Sequence, residues 1–224
     1  MEVTTTEWTG AVGVAACSVA VQFLIAYLSR RQIAKQLDLQ HLVSHRTTAT
    51  FVADKRQKWI DELRTDMAFY LALSQEIVWK WDGMRSRAAL RVQEDAKNDA
   101  GEIDPVMASK IFQDVADAFS PENGARDREH QERHIRLMFR LNPKKDLHVK
   151  LRECLDLIRK SLHRTQGART RAEAKELLDR TIHLIREAQD QTEAILKAEW
   201  QRVKQEVAYP EVLMSTIPKP VAKK

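Results

Sequence analysis

Two pairs of histidines, each four residues apart, are the residues of this sequence whose spacing best suits metal chemistry. His130 and His134 would lie on one face of a helix, from which two imidazoles can hold the same ion. The general base of a zinc protease would require Glu at position 131 or 133, where the sequence has Gln and Arg. His41 and His45 have Asp38 as their one nearby acid. We therefore predict no metal site, and we expect His130 and His134 on an exposed polar face.

Other motifs do not indicate catalysis either. The later glycines fall singly, at positions 83, 101, 124 and 167, so no glycine-rich loop is available to hold a phosphate. Cys154 belongs to an apolar helical face, which predicts a buried thiol rather than a nucleophile. Acid pairs such as Asp61 and Glu62 stand among basic residues, with nothing to desolvate them. We predict that the protein is not an enzyme and has no catalytic residue and no cofactor.

A long uncharged segment lies near the start of the chain. Residues 8–28 are 21 consecutive residues without a charged side chain. As a helix they extend about 31 Å, which is the thickness of the hydrocarbon core of a bilayer. Trp8 and Tyr27 lie near the two ends, where amphipathic rings prefer the membrane interface. The segment therefore predicts a single transmembrane helix over residues 8–29.

The distribution of charge predicts the orientation of this span. All 37 basic residues and 30 of the 32 acids follow position 29, and Arg30, Arg31 and Lys35 come directly after the span. The positive-inside bias therefore places the N-terminal tail, residues 1–7, outside and the rest in the cytoplasm, at the inner membrane of a bacterium. The three cations are suited to lipid headgroups. Elsewhere basic residues alternate with acids, so binding of nucleic acid is not expected.

Composition and periodicity predict an all-α fold for the cytoplasmic part. Apolar residues make up 43% of the chain and charged residues 31%, with only six Gly and six Pro, which is too few for a turn-rich β protein. Steps of three and four residues place one apolar stripe on a helix. The stripe consists of Ile60, Leu63, Met67, Tyr70, Ser74, Ile77 and Trp81.

Helix boundaries are predicted from prolines, glycines and capping residues. Threonines favour a break within Ser44–Thr50, and Gly83 favours a stop followed by a frayed segment over residues 86–102. Asp104 before Pro105 predicts a helix start. This helix is expected to end at Pro121. A new helix after Gly124 is expected to carry the apolar residues Ile135, Met138, Phe139 and Leu141. Asn142 before Pro143 predicts a third start, and residues 171–208 a long final helix.

These elements predict a juxtamembrane linker over residues 30–50, an antiparallel helical bundle over 51–208 and a disordered basic tail over 209–224. Within the final helix the apolar residues form a narrow seam, which favours coiled-coil-like contacts. Four tryptophans at helical spacing are expected in the core rather than on a binding surface. They are Trp59, Trp79, Trp81 and Trp200.

Three segments together carry a resemblance. Residues 56–64 (RQKWIDELR) follow the uncharged segment, residues 141–143 (LNP) open a helix, and residues 195–204 (ILKAEWQRVK) close the fold. The combination resembles bacterial and phage single-pass membrane proteins of unassigned function. The resemblance implies the architecture alone and no site residue. The residues themselves agree with it, since Trp59 and Trp200 are expected to anchor a helical core.

The leading functional expectation is a membrane-anchored helical scaffold that acts by contact with an unknown protein. Small residues along one face of the span, Gly13, Cys17 and Ala20, are compatible with a homo-oligomer. The alternative is an inner-membrane effector that oligomerises and perturbs the bilayer. A third hypothesis, a membrane-tethered nuclease or hydrolase, would require clustered acids or histidines in the folded protein.

Overall fold

The structure of the chain is a computed structural model. The structure describes residues 6–98, 100–168 and 170–217, with side chains from residue 21 onward. The described part is all-α, as predicted, and contains five helices. They are α1 (Thr6–Asp95), α2 (Pro105–Arg140), α3 (Asp146–Gln166), α4 (Arg171–Ala208) and α5 (Pro210–Thr216).

Contacts divide the chain into two compact units. The larger unit, residues 55–204, contains the end of α1, all of α2 and α3, and most of α4. The smaller unit combines the chain up to Asp54 with the segment from Gln205 onward. Its described residues 21–44 are exposed on every side. Its buried residues are Ala49, Ala53, Glu206, Pro210 and Leu213.

The larger unit is an up-down-up-down four-helix bundle. On α1 and α2, Glu76 pairs with Arg126 and Asp66 with Arg140, so the two helices run antiparallel. The same reasoning makes α3 antiparallel to α2 and α4 antiparallel to α3. The antiparallel bundle predicted from the sequence is therefore confirmed, and its short connections are typical of this topology.

The bundle core contains most of the predicted stripe of α1 together with the inner faces of α2, α3 and α4. Full burial of a large aliphatic side chain contributes roughly 1.5–3 kcal/mol, so this cluster is the main source of stability. Its most deeply buried members are Leu63, Tyr70, Ile77, Val78, Leu137, Leu141, Leu151, Leu155, Ile158, Ala188 and Ile195.

The prediction of a break in α1 within Ser44–Thr50 is wrong. The helix continues because the hydroxyls of Thr47 and Thr50 donate to the carbonyls of Val43 and Arg46, one turn back, at 2.9 and 3.0 Å. Such bonds satisfy the threonine side chains inside the helix instead of drawing them to a turn.

Gly83 does not end α1 either. The helix extends through most of the segment predicted to be frayed and ends at Asp95. A glycine in a helix costs about 1 kcal/mol relative to alanine. Burial of Ile77 and Val78 before it, and of Met84 and Ala88 after it, outweighs that cost.

The predicted start of α2 is confirmed, whereas its predicted end is wrong. Asp104 is the N-cap, and its carboxylate accepts hydrogen bonds from the amides of Val106 and Met107. The helix then passes through Pro121 instead of stopping there. Proline lacks the amide that would bond one turn back, which costs a helix roughly 3 kcal/mol. Packing of Phe119 on Trp81, with ring centroids 5.0 Å apart, helps to hold the helix together across this point.

The inner face of α2 differs from the predicted one. The sequence assigned Ile135, Met138, Phe139 and Leu141 to the core, but Phe139 is 86% exposed and Ile135 is also exposed. His130, His134 and Leu137 are buried in their place, together with Leu141. Spacings of four, three and four residues make this a regular helical face. The error arose from ranking phenylalanine above histidine as a core residue.

The connection between α2 and α3 is a turn rather than a capped helix start. The side-chain oxygen of Asn142 accepts from the amide of Lys144 at 2.9 Å, and the backbone amide of Asn142 donates to Nδ1 of His148 at 3.1 Å. Proline at 143 occupies this turn, so α3 begins at Asp146, three residues later than predicted.

The end of the chain also differs from its prediction. Residues 171–208 form α4 with the predicted bounds. The tail predicted to be disordered from residue 209 contains α5, in which Pro210 takes the first helical position and Leu213 is buried. Residues 218–224 lie outside the described part.

Within the part of the chain that the structure describes, no helix has a stretch that is both long and apolar enough to cross a bilayer. The span predicted over residues 8–29 falls largely on residues 8–20, whose side chains lie outside that part. The transmembrane helix therefore stays a prediction.

Candidate functional site

The two histidines singled out by their spacing lie inside the bundle, so the prediction of an exposed polar face is wrong. His130 and His134 are both buried against α1. The ring of Tyr70 stacks on His130 with centroids 4.3 Å apart and lies 5.9 Å from the ring of His134. We refer to Tyr70, Ser74, His130, His134 and Asp156 as the histidine cluster.

Hydrogen bonds indicate the tautomer of His130. The Ser74 hydroxyl lies 2.7 Å from the Tyr70 carbonyl, to which it donates. Its oxygen therefore accepts from Nε2 of His130, 2.9 Å away, and this nitrogen carries the proton of the neutral ring. The Tyr70 hydroxyl donates to the carbonyl of Leu155 on α3 at 3.0 Å. Three helices are thus joined by neutral hydrogen bonds.

Burial keeps these rings uncharged at neutral pH. Desolvation lowers the pKa of His130 to about 4, and the nearby His134 and Arg159 act in the same direction. Desolvation also lowers the pKa of His134, although its Nε2 lies 3.2 Å from a carboxylate oxygen of Asp156, which opposes the shift. Nδ1 of His134 is buried without a hydrogen-bond partner among the described residues.

The geometry of the cluster suits packing better than chemistry. Both Nε2 atoms already have partners, Ser74 and Asp156, and neither histidine is available to share a metal ion with the other. Among the residues with described side chains, no group of three or more potential ligands could hold a metal ion. The Ser74 hydroxyl is fully buried, so a substrate has no access to it.

Two buried carboxylates form ion-pair networks that the sequence analysis did not identify. Asp66 on α1 binds Arg133 at 3.0 Å and Arg140 at 2.8 Å, both on α2. Arg140 also pairs with Glu62. The sequence signal for burial of Asp66 was its position one residue before Met67 of the apolar stripe, because the buried face of α1 is wide enough to include both residues.

The second network is centred on Glu199 of α4. Its carboxylate binds Arg56 of α1 at 2.9 Å and the amine of Lys145 before α3. Burial raises the pKa of this carboxyl, but the two cations outweigh the effect and the net shift is downward. Glu199 is buried, whereas its neighbour Trp200, which was expected in the core, is exposed.

Cys154 is buried in the core, as predicted. Its thiol lies 3.4 Å from the carbonyl of Leu184, and burial raises its pKa to about 11. A thiol with a raised pKa and no exposure is a poor nucleophile.

The prediction that the four tryptophans lie in the core is half right. Trp59 is partly buried and stacks on His148 at 5.9 Å, and Trp81 packs edge-on against Phe119. Trp200 is 44% exposed and Trp79 is 55% exposed. The periodicity itself contained the signal for Trp79, since residue 79 lies off the stripe that includes Ile77 and Trp81.

Trp79 separates two grooves on the bundle surface. One, of about 490 Å³, lies between α1 and α4, and the other, of about 640 Å³, follows α1. We refer to both grooves and the indole between them as the Trp79 surface. Its α4 side consists of Leu178, Asp179, Ile182, His183 and Arg186, and its α1 side consists of Ala72, Gln75, Glu76, Trp79, Lys80, Gly83 and Arg87.

The Trp79 surface combines a large apolar contact area with polar groups around it. The indole and the partly buried Leu178 and Ile182 form its apolar part. Gly83 has open space where a side chain would project, which leaves room for an incoming group one turn beyond the indole. Such an arrangement is suited to binding another molecule, and it is the candidate functional site.

In comparisons with known proteins, the chain matches no protein-family model, no curated protein and no solved structure.

Proposed function

We propose that this chain is a membrane-tethered helical module of the bacterial inner membrane that acts by binding another protein through the Trp79 surface. The observation that carries the proposal is a tryptophan that lies off the apolar stripe of α1, is more than half exposed and lines two grooves. No catalytic step is part of this function.

An exposed indole supports binding because of what it gains on contact. Tryptophan is enriched among the few residues that dominate the energy of protein interfaces, where it contributes 2 kcal/mol or more. Its large area is desolvated when a partner covers it, and its N–H can still find an acceptor at the interface. The flanking aliphatic residues, Leu178 and Ile182, extend the apolar contact to α4.

The membrane tether is proposed from the sequence. Residues 8–28 carry no charged side chain, and Arg30, Arg31 and Lys35 follow them. A module held at the membrane meets membrane-bound partners at a high effective concentration, so a modest interface is sufficient for binding. The bundle would then lie on the cytoplasmic side, where the positive-inside bias places it.

Charge substitutions within the span test the tether. Val14→Arg combined with Val19→Arg should release the full-length chain from the membrane pellet, because each arginine at the centre of a span costs roughly 2.5–3.5 kcal/mol. The measurement is fractionation after carbonate extraction, with Ile33→Arg, just beyond the span, as the control that stays in the pellet. Recovery of the unsubstituted chain in the soluble fraction without detergent would contradict the tether.

A further inference from the structure

The positions of the charged residues around the Trp79 surface indicate which kind of partner the surface binds. Arg186 and Arg87 are exposed, and neither forms an ion pair with another described residue. Because α1 and α4 are antiparallel, Arg186 lies beside Gln75, at one end of the surface, and Arg87 lies at the other end. Positions 75 and 87 are separated by about 18 Å along the axis of α1.

The other charges of the surface do not alter this pattern. The carboxylate of Glu76 binds Arg126 at 2.7 Å, and Lys80 lies 3.5 Å from Glu122, so both are compensated within the bundle. Asp179 is on α4, two turns before Arg186, and it is the acid of the surface that forms no ion pair with another described residue. The surface is therefore positive at both ends and apolar with one acid in the middle.

We propose that the occupant of the Trp79 surface is an amphipathic helix of the partner protein, with aliphatic anchors in its middle and an acidic residue near each end. This inference rests on the proposed function and specifies the partner. It is independent of which protein carries the helix.

A helix fits this surface in both shape and length. Trp79 lines both grooves, so a helix laid across the indole, from the groove that Arg186 lines to the groove that Arg87 lines, presents residues at spacings of three and four to the apolar strip. Twelve residues of that helix extend about 18 Å, so acids twelve residues apart reach Arg87 and Arg186 together. Between them, aliphatic side chains cover Trp79 and fill the space beside Gly83. An acid at the centre would be repelled by Asp179.

Two synthetic helical peptides that differ only in their end charges test the inference. Both are fluorescein-labelled, have 18 residues and carry one leucine stripe; one has Glu at positions 3 and 15, and the other has Lys there. Binding to the full-length chain in lipid nanodiscs is measured by fluorescence anisotropy, with empty nanodiscs as the blank. We expect the Glu peptide to bind at least tenfold more tightly than the Lys peptide.

Variants of the chain assign the effect to the surface. Trp79→Ala should weaken binding of the Glu peptide at least tenfold, and Arg87→Glu combined with Arg186→Glu should reverse the preference between the peptides. The matched control is Arg128→Glu with Arg180→Glu, which changes the net charge equally at exposed positions off the surface and should leave the preference intact.

The outcomes separate this inference from the proposed function. The inference of an acidic helix would be overturned if the two peptides bound with equal affinity. It would also be overturned if the control variant lost the preference for the Glu peptide. Absence of binding by either peptide would overturn it as well. In either case a protein crosslinked at position 79 in cells would still support the proposed function, because that result requires no particular partner chemistry.

Discussion

Replacing Asp66 with alanine is expected to lower the free energy of unfolding by about 3 kcal/mol. The carboxylate is buried between Arg133 and Arg140, at 3.0 and 2.8 Å, and it joins α1 to α2. Removing one member of a buried ion pair typically costs 3–5 kcal/mol because the remaining charge loses its partner. The lower end of that range applies, since both arginines are partly exposed and Arg140 retains Glu62.

A matched control for this variant lies on the same helix. Asp61 also pairs with an arginine, Arg64, at 2.9 Å, but both side chains are more than half exposed. Asp61→Ala should therefore change stability by no more than about 0.5 kcal/mol. Urea unfolding of the full-length chain in detergent, followed by circular dichroism, measures both. Equal effects of the two substitutions would show that the Asp66 network does not hold α2 to the bundle.

Lowering the pH from 7 to 4 is expected to destabilise the bundle, with His130 alone accounting for about 3 kcal/mol. Its pKa is about 4 in the folded protein, against an ordinary value of 6.5 that we assign to the unfolded chain. As the pH falls below 6.5 the unfolded chain takes up a proton that the folded protein does not, so unfolding becomes more favourable until the folded protein is protonated as well, below about pH 4.

The surroundings of His130 offer little compensation for a positive charge. Ser74 and Tyr70 face it from α1, His134 lies on its own helix, and Arg159 of α3 acts against protonation. Asp156 is the nearby acid and is occupied by His134. His134 and His148, whose pKa values burial also lowers, add to the loss of stability in the same pH range.

Substitution isolates the contribution of His130 to this pH dependence. His130→Gln keeps a donor for Ser74 but cannot titrate, so the difference in stability between pH 7 and pH 4 should shrink by about 3 kcal/mol relative to the unsubstituted chain. His183→Gln changes an exposed histidine and should leave the difference as it was. Parallel pH profiles for His130→Gln and the unsubstituted chain would rule out burial of a neutral ring at position 130.

Much of the helical architecture could be predicted from local signals. The capping aspartate before Pro105 and the uninterrupted seam of residues 171–208 define two helices with the observed starts. Predicted breaks failed where tertiary packing or side-chain bonds outweigh local preference, at Thr47, Gly83 and Pro121. These residues disfavour a helix by a few kcal/mol at most, and the contacts around them can exceed that cost.

The candidate site was harder to predict because it depends on which polar residues are buried. Hydrophobicity ranks Phe139 above His134, yet the structure buries the histidine and exposes the phenylalanine. The reason is tertiary: Tyr70 and Asp156, on other helices, supply partners that the local sequence does not reveal. Exposure of Trp79 could have been inferred from its register, but one of the two grooves beside it requires α4, about a hundred residues further along the chain.

Photocrosslinking at position 79 in intact cells tests the binding function most directly. A benzophenone amino acid replaces Trp79 in the full-length chain, and in a control it replaces Phe139, the more exposed aromatic residue on α2. The proposed function predicts a discrete protein adduct from position 79 in the membrane fraction and none from position 139. Absence of an adduct at position 79, or the same adducts from both positions, would contradict it.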